Sequence, residues 1–209
     1  MTGATQTRGE PSPTVLVDEG AIRAHVERIA GRITRDHPDG VVLVGVLKGA
    51  LIFLADLVRA ITEIDVIVDF LAISRYAPDS GRVRILKDLD IDVEGRDVVI
   101  VEDLVDTGLT LAYLLSHVRE RAPRSLDVCT LLNRPVRRIV PLSVRYVGEE
   151  IDDVFVLGYG LHQADLYRNV PFIVEADRNV VLDRPAAYVD ALYGAGAAPV
   201  PRRPPSLRS

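Results

Sequence analysis

The sequence predicts an α/β domain with an open, mainly parallel sheet flanked by helices. Val41 to Leu47 (VVLVGVL) and Leu126 to Leu132 are almost wholly apolar, as strands covered on both faces are. Apolar positions at helical spacing fill the stretches between such runs, the alternation that builds right-handed βαβ units. Two of the runs lead through a glycine-bearing turn into a helical segment, which is where open parallel sheets bind ligands.

Taken in order, residues 1–13 are rich in Gly, Thr, Pro and Ser and read as a disordered arm. From Asp18, a candidate N-cap, Ile22, Val26, Ile29, Ala30 and Ile33 recur at helical spacing up to the break at His37-Pro38-Asp39-Gly40. The strand Val41 to Leu47 ends at Lys48-Gly49, a helix follows over Ala50 to Ile61, and Val66 to Ile73 is a further strand. Ser74 to Arg82 turns polar and contains Pro78, Asp79 and Gly81, as a solvated hairpin or lid would. Val83 to Leu86 reads as a strand that runs into the acidic stretch Lys87 to Asp92. That stretch lacks the glycine and terminal glutamate of a calcium loop, so a solvated strand end is expected.

Val98 to Val101 is the next buried strand, and Thr110 to Arg121 the helix after it, closed by Ala122-Pro123. Beyond the strand Leu126 to Leu132 come a basic loop, Asn133 to Arg138, and short strands at Val144 to Val147 and Val154 to Leu157. The last of these ends in Gly158-Tyr159-Gly160. Ala186 to Tyr193 has the length of a short helix, and residues 194–209 lack any core-forming pattern and read as a disordered tail. One domain over residues 14–175 with an extension over 176–193 accommodates these elements.

Composition narrows the function classes. A formal charge of −5, from 25 Lys and Arg against 30 Asp and Glu, argues against nucleic acid as a partner, because phosphate-backbone affinity needs clustered positive charge. The one cysteine, Cys129, lies in an apolar run, which excludes a disulfide framework or a cysteine-rich metal site and reads as a buried thiol. No apolar stretch approaches the roughly 20 residues of a membrane span, and no signal-peptide pattern opens the chain, so a cytoplasmic protein without a membrane partner is expected.

The chemistry concentrates in Val98 to Leu111, VVIVEDLVDTGLTL. Asp106-Thr107-Gly108-Leu109-Thr110 would feed a helix N-terminus, whose unpaired N–H groups favour phosphate, with two threonine hydroxyls beside them. It is neither a Walker loop nor a dinucleotide fingerprint, which removes support from a kinase or a Rossmann oxidoreductase. Glu102 and Asp103, at the strand end, would repel that phosphate unless they face vicinal hydroxyls or a divalent cation. A sugar phosphate with a free diol meets both conditions.

The run Val-Glu-Asp-Leu-Val-Asp-Thr-Gly-Leu-Thr resembles the signature of type I phosphoribosyltransferases, and the chain from about Val15 to Pro171 is similar to their bacterial hypoxanthine-guanine members. Val46-Leu47-Lys48-Gly49, Val83 to Asp90 and Phe155 to Gly160 carry the same resemblance in order. It implies the type I phosphoribosyltransferase fold with a flexible lid and a small hood. It further implies Mg2+-dependent transfer of ribose 5-phosphate from phosphoribosyl pyrophosphate to N9 of a 6-oxopurine, and self-association as a dimer or tetramer.

On that resemblance Thr107, Gly108, Leu109 and Thr110 would hold the 5-phosphate, with Asp106 at the purine N7 as a proton acceptor and donor. Glu102 and Asp103 would hold the ribose hydroxyls and the metal. Lys48 and Gly49, after a cis Leu47–Lys48 peptide, would hold pyrophosphate together with Arg168. Arg75 and Tyr76 would close as the lid, Phe155 would stack on the base, and Val156 would meet its edge.

Three positions depart from the pattern. Arg75 stands where the lid usually has serine, Arg134 where a lysine usually meets the purine 6-oxygen, and His162 where an aspartate usually follows the Gly-Tyr-Gly-Leu turn. Glu149 replaces a phenylalanine nearby. These changes leave the fold untouched and bear on the base, so a modified purine such as a 7-deazapurine, used in specialised nucleoside biosynthesis, is the alternative substrate. A non-catalytic regulator that senses phosphoribosyl pyrophosphate is the alternative from another class.

Overall fold

The computed structural model describes residues 12–74 and 84–193. The expected lid with Arg75 and Tyr76, nearly all of the N-terminal arm and the C-terminal tail lie outside these residues. The elements are β1 (Thr14–Val17), α1 (Glu19–Asp36), β2 (Val41–Leu47), α2 (Leu51–Ala60), β3 (Val66–Ser74), β4 (Arg84–Lys87), β5 (Asp97–Val105), α3 (Leu109–Arg119), β6 (Ser125–Asn133), β7 (Tyr146–Glu150), β8 (Phe155–Leu157), β9 (Ile173–Ala176), α4 (Arg178–Asp183) and α5 (Val189–Tyr193).

The larger sheet has the order β4-β3-β2-β5-β6-β7. All neighbours are parallel except β4, which pairs antiparallel with β3 at the edge. From β2 the chain passes through α2 to β3 on one side, and from β5 through α3 to β6 on the other. The order therefore reverses between β2 and β5, and the crevice outside their carboxyl ends is the place an open α/β sheet offers a ligand.

Strand alternation assembles two cores. Val41 and Leu43 of β2 join Ile22, Ile29 and Ile33 of α1 and Phe53 and Leu57 of α2. Val42, Val44 and Val46 point the other way and meet Leu111, Leu114 and Val118 of α3. Cys129 is fully buried in the first core, and burial pushes its thiol well above the usual range, so it is an inert packing group.

A second sheet, β1-β9-β8, is antiparallel and forms the expected hood. Its cluster contains Leu157, Val174, Val181 and the buried rings of Tyr167 and Tyr188. Neither β1, β9 nor α4 is signalled by sequence periodicity, because these elements are too short to show a period. The helix expected over Ala186 to Tyr193 forms only over Val189–Tyr193.

Two expectations change in the acidic and central stretches. Lys87 to Asp92 is a solvated strand end only in part: Asp90 and Asp92 are exposed, but Leu89 is buried, with Val93 just beyond it, and Asp88 accepts from His117 Nε2 of α3 at 2.9 Å and Arg121 Nη2 just after α3 at 2.6 Å. The strand expected over Val98 to Val101 continues to Val105, because Glu102 and Leu104 keep their pairing with Thr130 and Leu132 of β6. Glu102 and Asp103 therefore sit within the last residues of a paired strand, a firmer base than a loop, while Asp106 follows directly after it.

Candidate active site

The β2 and β5 ends approach closely. The Leu47–Lys48 peptide is cis, as the resemblance implied. A Cβ on Gly49 would overlap the Asp103 carboxylate, so a larger residue here would require that side chain to move. The Asp103 carboxylate also accepts from the N–H of Leu104 at 2.8 Å, which fixes its orientation. Gly49→Ala is expected to displace Asp103 and to lower the melting temperature, with an overpacking cost of about 1–3 kcal/mol. Calorimetry checks this, and an unchanged melting temperature would contradict the close approach.

After Val105 the chain turns through Asp106 and Thr107 to Gly108, which has φ of 82° and begins α3. Gly108 has no side chain to cap this helix, and the N–H of Leu109 makes only a long bond, 3.4 Å, to Thr107 Oγ1, so the helix start keeps N–H groups suited to an anion. The turn is braced from behind: Thr107 O accepts from the N–H groups of Ile139 at 2.9 Å and Val140 at 3.2 Å. A Cβ on Gly108 would come within 2.8 Å of Leu142 Cδ1 and 3.2 Å of Arg138 Cδ, so the basic loop packs on the turn it helps to shape.

Asp106 faces that loop. Arg134 Nη1 lies 3.4 Å from its Oδ2 and Arg137 Nε 3.5 Å from its Oδ1, yet Oδ1 makes no hydrogen bond. Arg134 is 4% exposed, donates through Nη2 to the carbonyl of Val154, and leaves Nε without a partner. Arg138 donates to Asn133 Oδ1, and Asn133 Nδ2 donates to Glu150 Oε1 at 3.3 Å. Burial pushes the Arg138 guanidinium below its usual value, while the Asp106 charge works in the opposite direction. Arg137, which sequence reading passed over, sits on a short 3-10 turn, Pro135–Arg137, inside the loop.

A second cluster lies at the β2 side. Asp165 Oδ1 is 3.5 Å from Lys48 Nζ and 2.9 Å from Arg168 Nη2, while Arg168 Nη1 donates to the carbonyl of Gly160 at 2.7 Å. The Arg168 hydrogen bond, then the charge of Lys48, hold the Asp165 carboxyl below its usual value. Asp165 is thus a bridge between two of the predicted pyrophosphate ligands that sequence reading did not single out. His162 is exposed, and its Nδ1 accepts from the N–H of Asp165 at 3.1 Å. Phe155 is half-buried at the start of β8, and Val156 is buried. Glu149 pairs with His25 Nε2 at 3.1 Å, so the residue that replaces the usual phenylalanine ties β7 to α1.

Residues 14–164 match the phosphoribosyl transferase domain family. The chain belongs to that family. It is 44% identical over 164 residues to a hypoxanthine-guanine phosphoribosyltransferase of Bacillus subtilis, which spans 76% of this chain and 90% of that one. It is 41% identical over 165 residues to the hypoxanthine phosphoribosyltransferase of Escherichia coli, at 76% and 92%. A crystal structure of a Bacillus anthracis hypoxanthine-guanine phosphoribosyltransferase superposes with a TM-score of 0.76 at 40% identity, over 80% of this chain and 100% of that one. In this fold Lys48-Gly49 follows β2 and lies against Asp103 of the neighbouring β5, and Asp106 to Thr110 leads from the end of β5 into α3. The family match ends at residue 164, so Asp165 and Arg168 stand just past it.

Proposed function

We propose that this phosphoribosyltransferase transfers ribose 5-phosphate from phosphoribosyl pyrophosphate to N9 of a 6-oxopurine, hypoxanthine or guanine, releasing pyrophosphate. The observation that carries the reading is the position of Asp106: a carboxylate with an oxygen free of hydrogen bonds, between a helix N-terminus suited to phosphate and the buried guanidinium of Arg134. A purine bound there would meet a proton acceptor at N7 and a cationic donor at its 6-oxygen. The Bacillus subtilis relative is named for hypoxanthine and guanine and the Escherichia coli relative for hypoxanthine.

In this reading the N–H groups of Thr107 to Thr110 hold the 5-phosphate. Glu102 and Asp103 orient the ribose hydroxyls, and Lys48, Gly49 and Arg168 hold the leaving pyrophosphate. Phe155 and Val156 line the base. Magnesium would be held by Glu102 and Asp103 together with the substrate, and when bound it neutralises charge developing on the leaving group. Among the described residues no three His, Cys, Asp or Glu side chains gather into a metal site. Two further assignments carry over as proposals: a homo-oligomer, and a cytoplasmic location, with no helix of the described residues long and apolar enough to cross a membrane.

The test is a panel of purine bases incubated with phosphoribosyl pyrophosphate and Mg2+, reading pyrophosphate release for the wild type and Arg134→Lys. Release with hypoxanthine and guanine is expected, with the base preference altered in the variant. Release only with 7-deazapurines would establish the modified-base reading, and release with none would overturn the enzyme assignment. Identical preferences in both proteins would remove Arg134 from base selection.

A further inference from the structure

Arg168 sits on a backbone that rarely occurs unaided. Its neighbour Tyr167 has φ of 75°, and Ala164 and Asp165 have φ of 49° and 62°, values in the left-handed region that L side chains seldom adopt. Such a conformation persists where surrounding groups over-determine it. Those groups come from the C-terminal segment. Tyr193 Oη accepts from the N–H of Tyr167 at 2.8 Å and donates to Asn169 Oδ1 at 2.9 Å, so one hydroxyl grips the residues on both sides of Arg168. The two rings, Tyr167 and Tyr193, stack with centroids 5.9 Å apart and planes 8° from parallel. Tyr167 Oη in turn donates to the carbonyl of Pro185 at 2.7 Å and accepts from the N–H of Tyr188 at 3.1 Å.

The segment that supplies this grip is itself anchored. Asp177 caps α4 by accepting from the N–H groups of Asn179 at 2.8 Å and Val180 at 3.2 Å, and Val181 and Tyr188 are buried in the hood cluster. A polar hydroxyl on the last helix thus reaches back through a fixed scaffold to the loop that aims Arg168 toward Asp165 and Lys48.

We propose that Tyr193 is a positioning residue for pyrophosphate: its hydroxyl holds the 167–169 backbone so that the Arg168 guanidinium is preset beside Lys48, with Asp165 occupying the place of the anion until pyrophosphate displaces it. The proposal rests on the reading of Arg168 as a pyrophosphate ligand. Tyr193→Phe removes both hydrogen bonds and keeps the ring that stacks. In the full chain it is expected to raise KM for phosphoribosyl pyrophosphate, and for pyrophosphate in the reverse reaction, by about fivefold or more. KM for the purine base, kcat and the melting temperature should stay near wild type. Asn169→Ala, which removes the acceptor of the same hydroxyl, should shift the same constant in the same direction and serves where Tyr193→Phe folds poorly.

Arg168→Ala separates the two ideas. If it raises KM for pyrophosphate while both brace variants leave it unchanged, the positioning role is overturned and the ligand assignment stands. If Arg168→Ala itself leaves that KM unchanged, the ligand assignment fails and the positioning role with it. Combining Tyr193→Phe with Arg168→Ala should add nothing to the loss from Arg168→Ala alone, since one acts through the other. Additive losses, or equal rises in every KM together with a lower melting temperature, would reduce Tyr193 to a structural residue.

Discussion

Asp106→Asn is expected to lower kcat by about 10²-fold or more while binding of phosphoribosyl pyrophosphate persists, the size of effect that loss of a positioned acid–base group produces. The reasoning is geometric. Asp106 precedes the phosphate turn, and its Oδ1 makes no hydrogen bond although Arg134 and Arg137 stand 3.4 Å and 3.5 Å from the carboxylate. A group held by two cations but not capped by a donor can take a proton from a purine nitrogen and return it. Asparagine keeps the shape and cannot do so. The cations would retain a polar neighbour but lose its charge, so a modest fall in stability should accompany the change. Single-turnover kinetics separate chemistry from binding. Turnover within about threefold of wild type would remove Asp106 from proton transfer.

The central motif was legible because one strand, one turn and one helix start are contiguous in sequence, and each has a local signature. Lys48-Gly49 was equally legible, at the end of the other strand that flanks the reversal in strand order. The braces were not. Asp165, Arg137 and Tyr193 act through contacts that link residues 48, 106, 134 and 167–169 with partners that no periodicity connects. The one usable signal was the density of tyrosines, Tyr159, Tyr167, Tyr188 and Tyr193, in a stretch otherwise short of aromatic residues. His162 illustrates the converse. Its place after Gly160-Leu161 marked it for the base, and the structure shows its Nδ1 accepting from the turn backbone at Asp165. The acidic run at Lys87 to Asp92 read as solvated because its charges dominate the composition; Asp90 and Asp92 are indeed exposed, while Leu89, with Val93 just beyond the run, anchors it to the core.

At the amino-terminal edge of the sheet, far along β5 from Asp106, Asp97→Ala is expected to cost about 3 kcal/mol or more of stability and to leave KM for both substrates unchanged. Asp97 accepts from Arg124 Nε at 2.9 Å and Nη2 at 2.6 Å and from Ser125 Oγ at 2.7 Å, and lies 3.3 Å from His37 Nδ1. His37 is 3% exposed and also contacts Tyr146 Oη at 3.1 Å, so removing the carboxylate strands a buried imidazole that links α1 to β7. The Arg124 guanidinium, foremost among these partners, holds the Asp97 carboxyl well below the usual carboxylate range. A depressed folded value means that the stabilisation is complete above the unfolded value of about 4 and is lost as pH falls further toward the folded one. Asp69 and Asp88 are depressed in the same direction, so their contributions fade over the same acid limb. Wild-type stability should therefore fall below about pH 4, and the fall should be shallower in Asp97→Asn, which cannot take up that proton. Denaturant titrations at neutral pH and in acid measure both effects. A loss of less than about 1 kcal/mol in Asp97→Ala, or an acid limb of unchanged slope in Asp97→Asn, would contradict the assignment of Asp97 as the charged keystone of this edge.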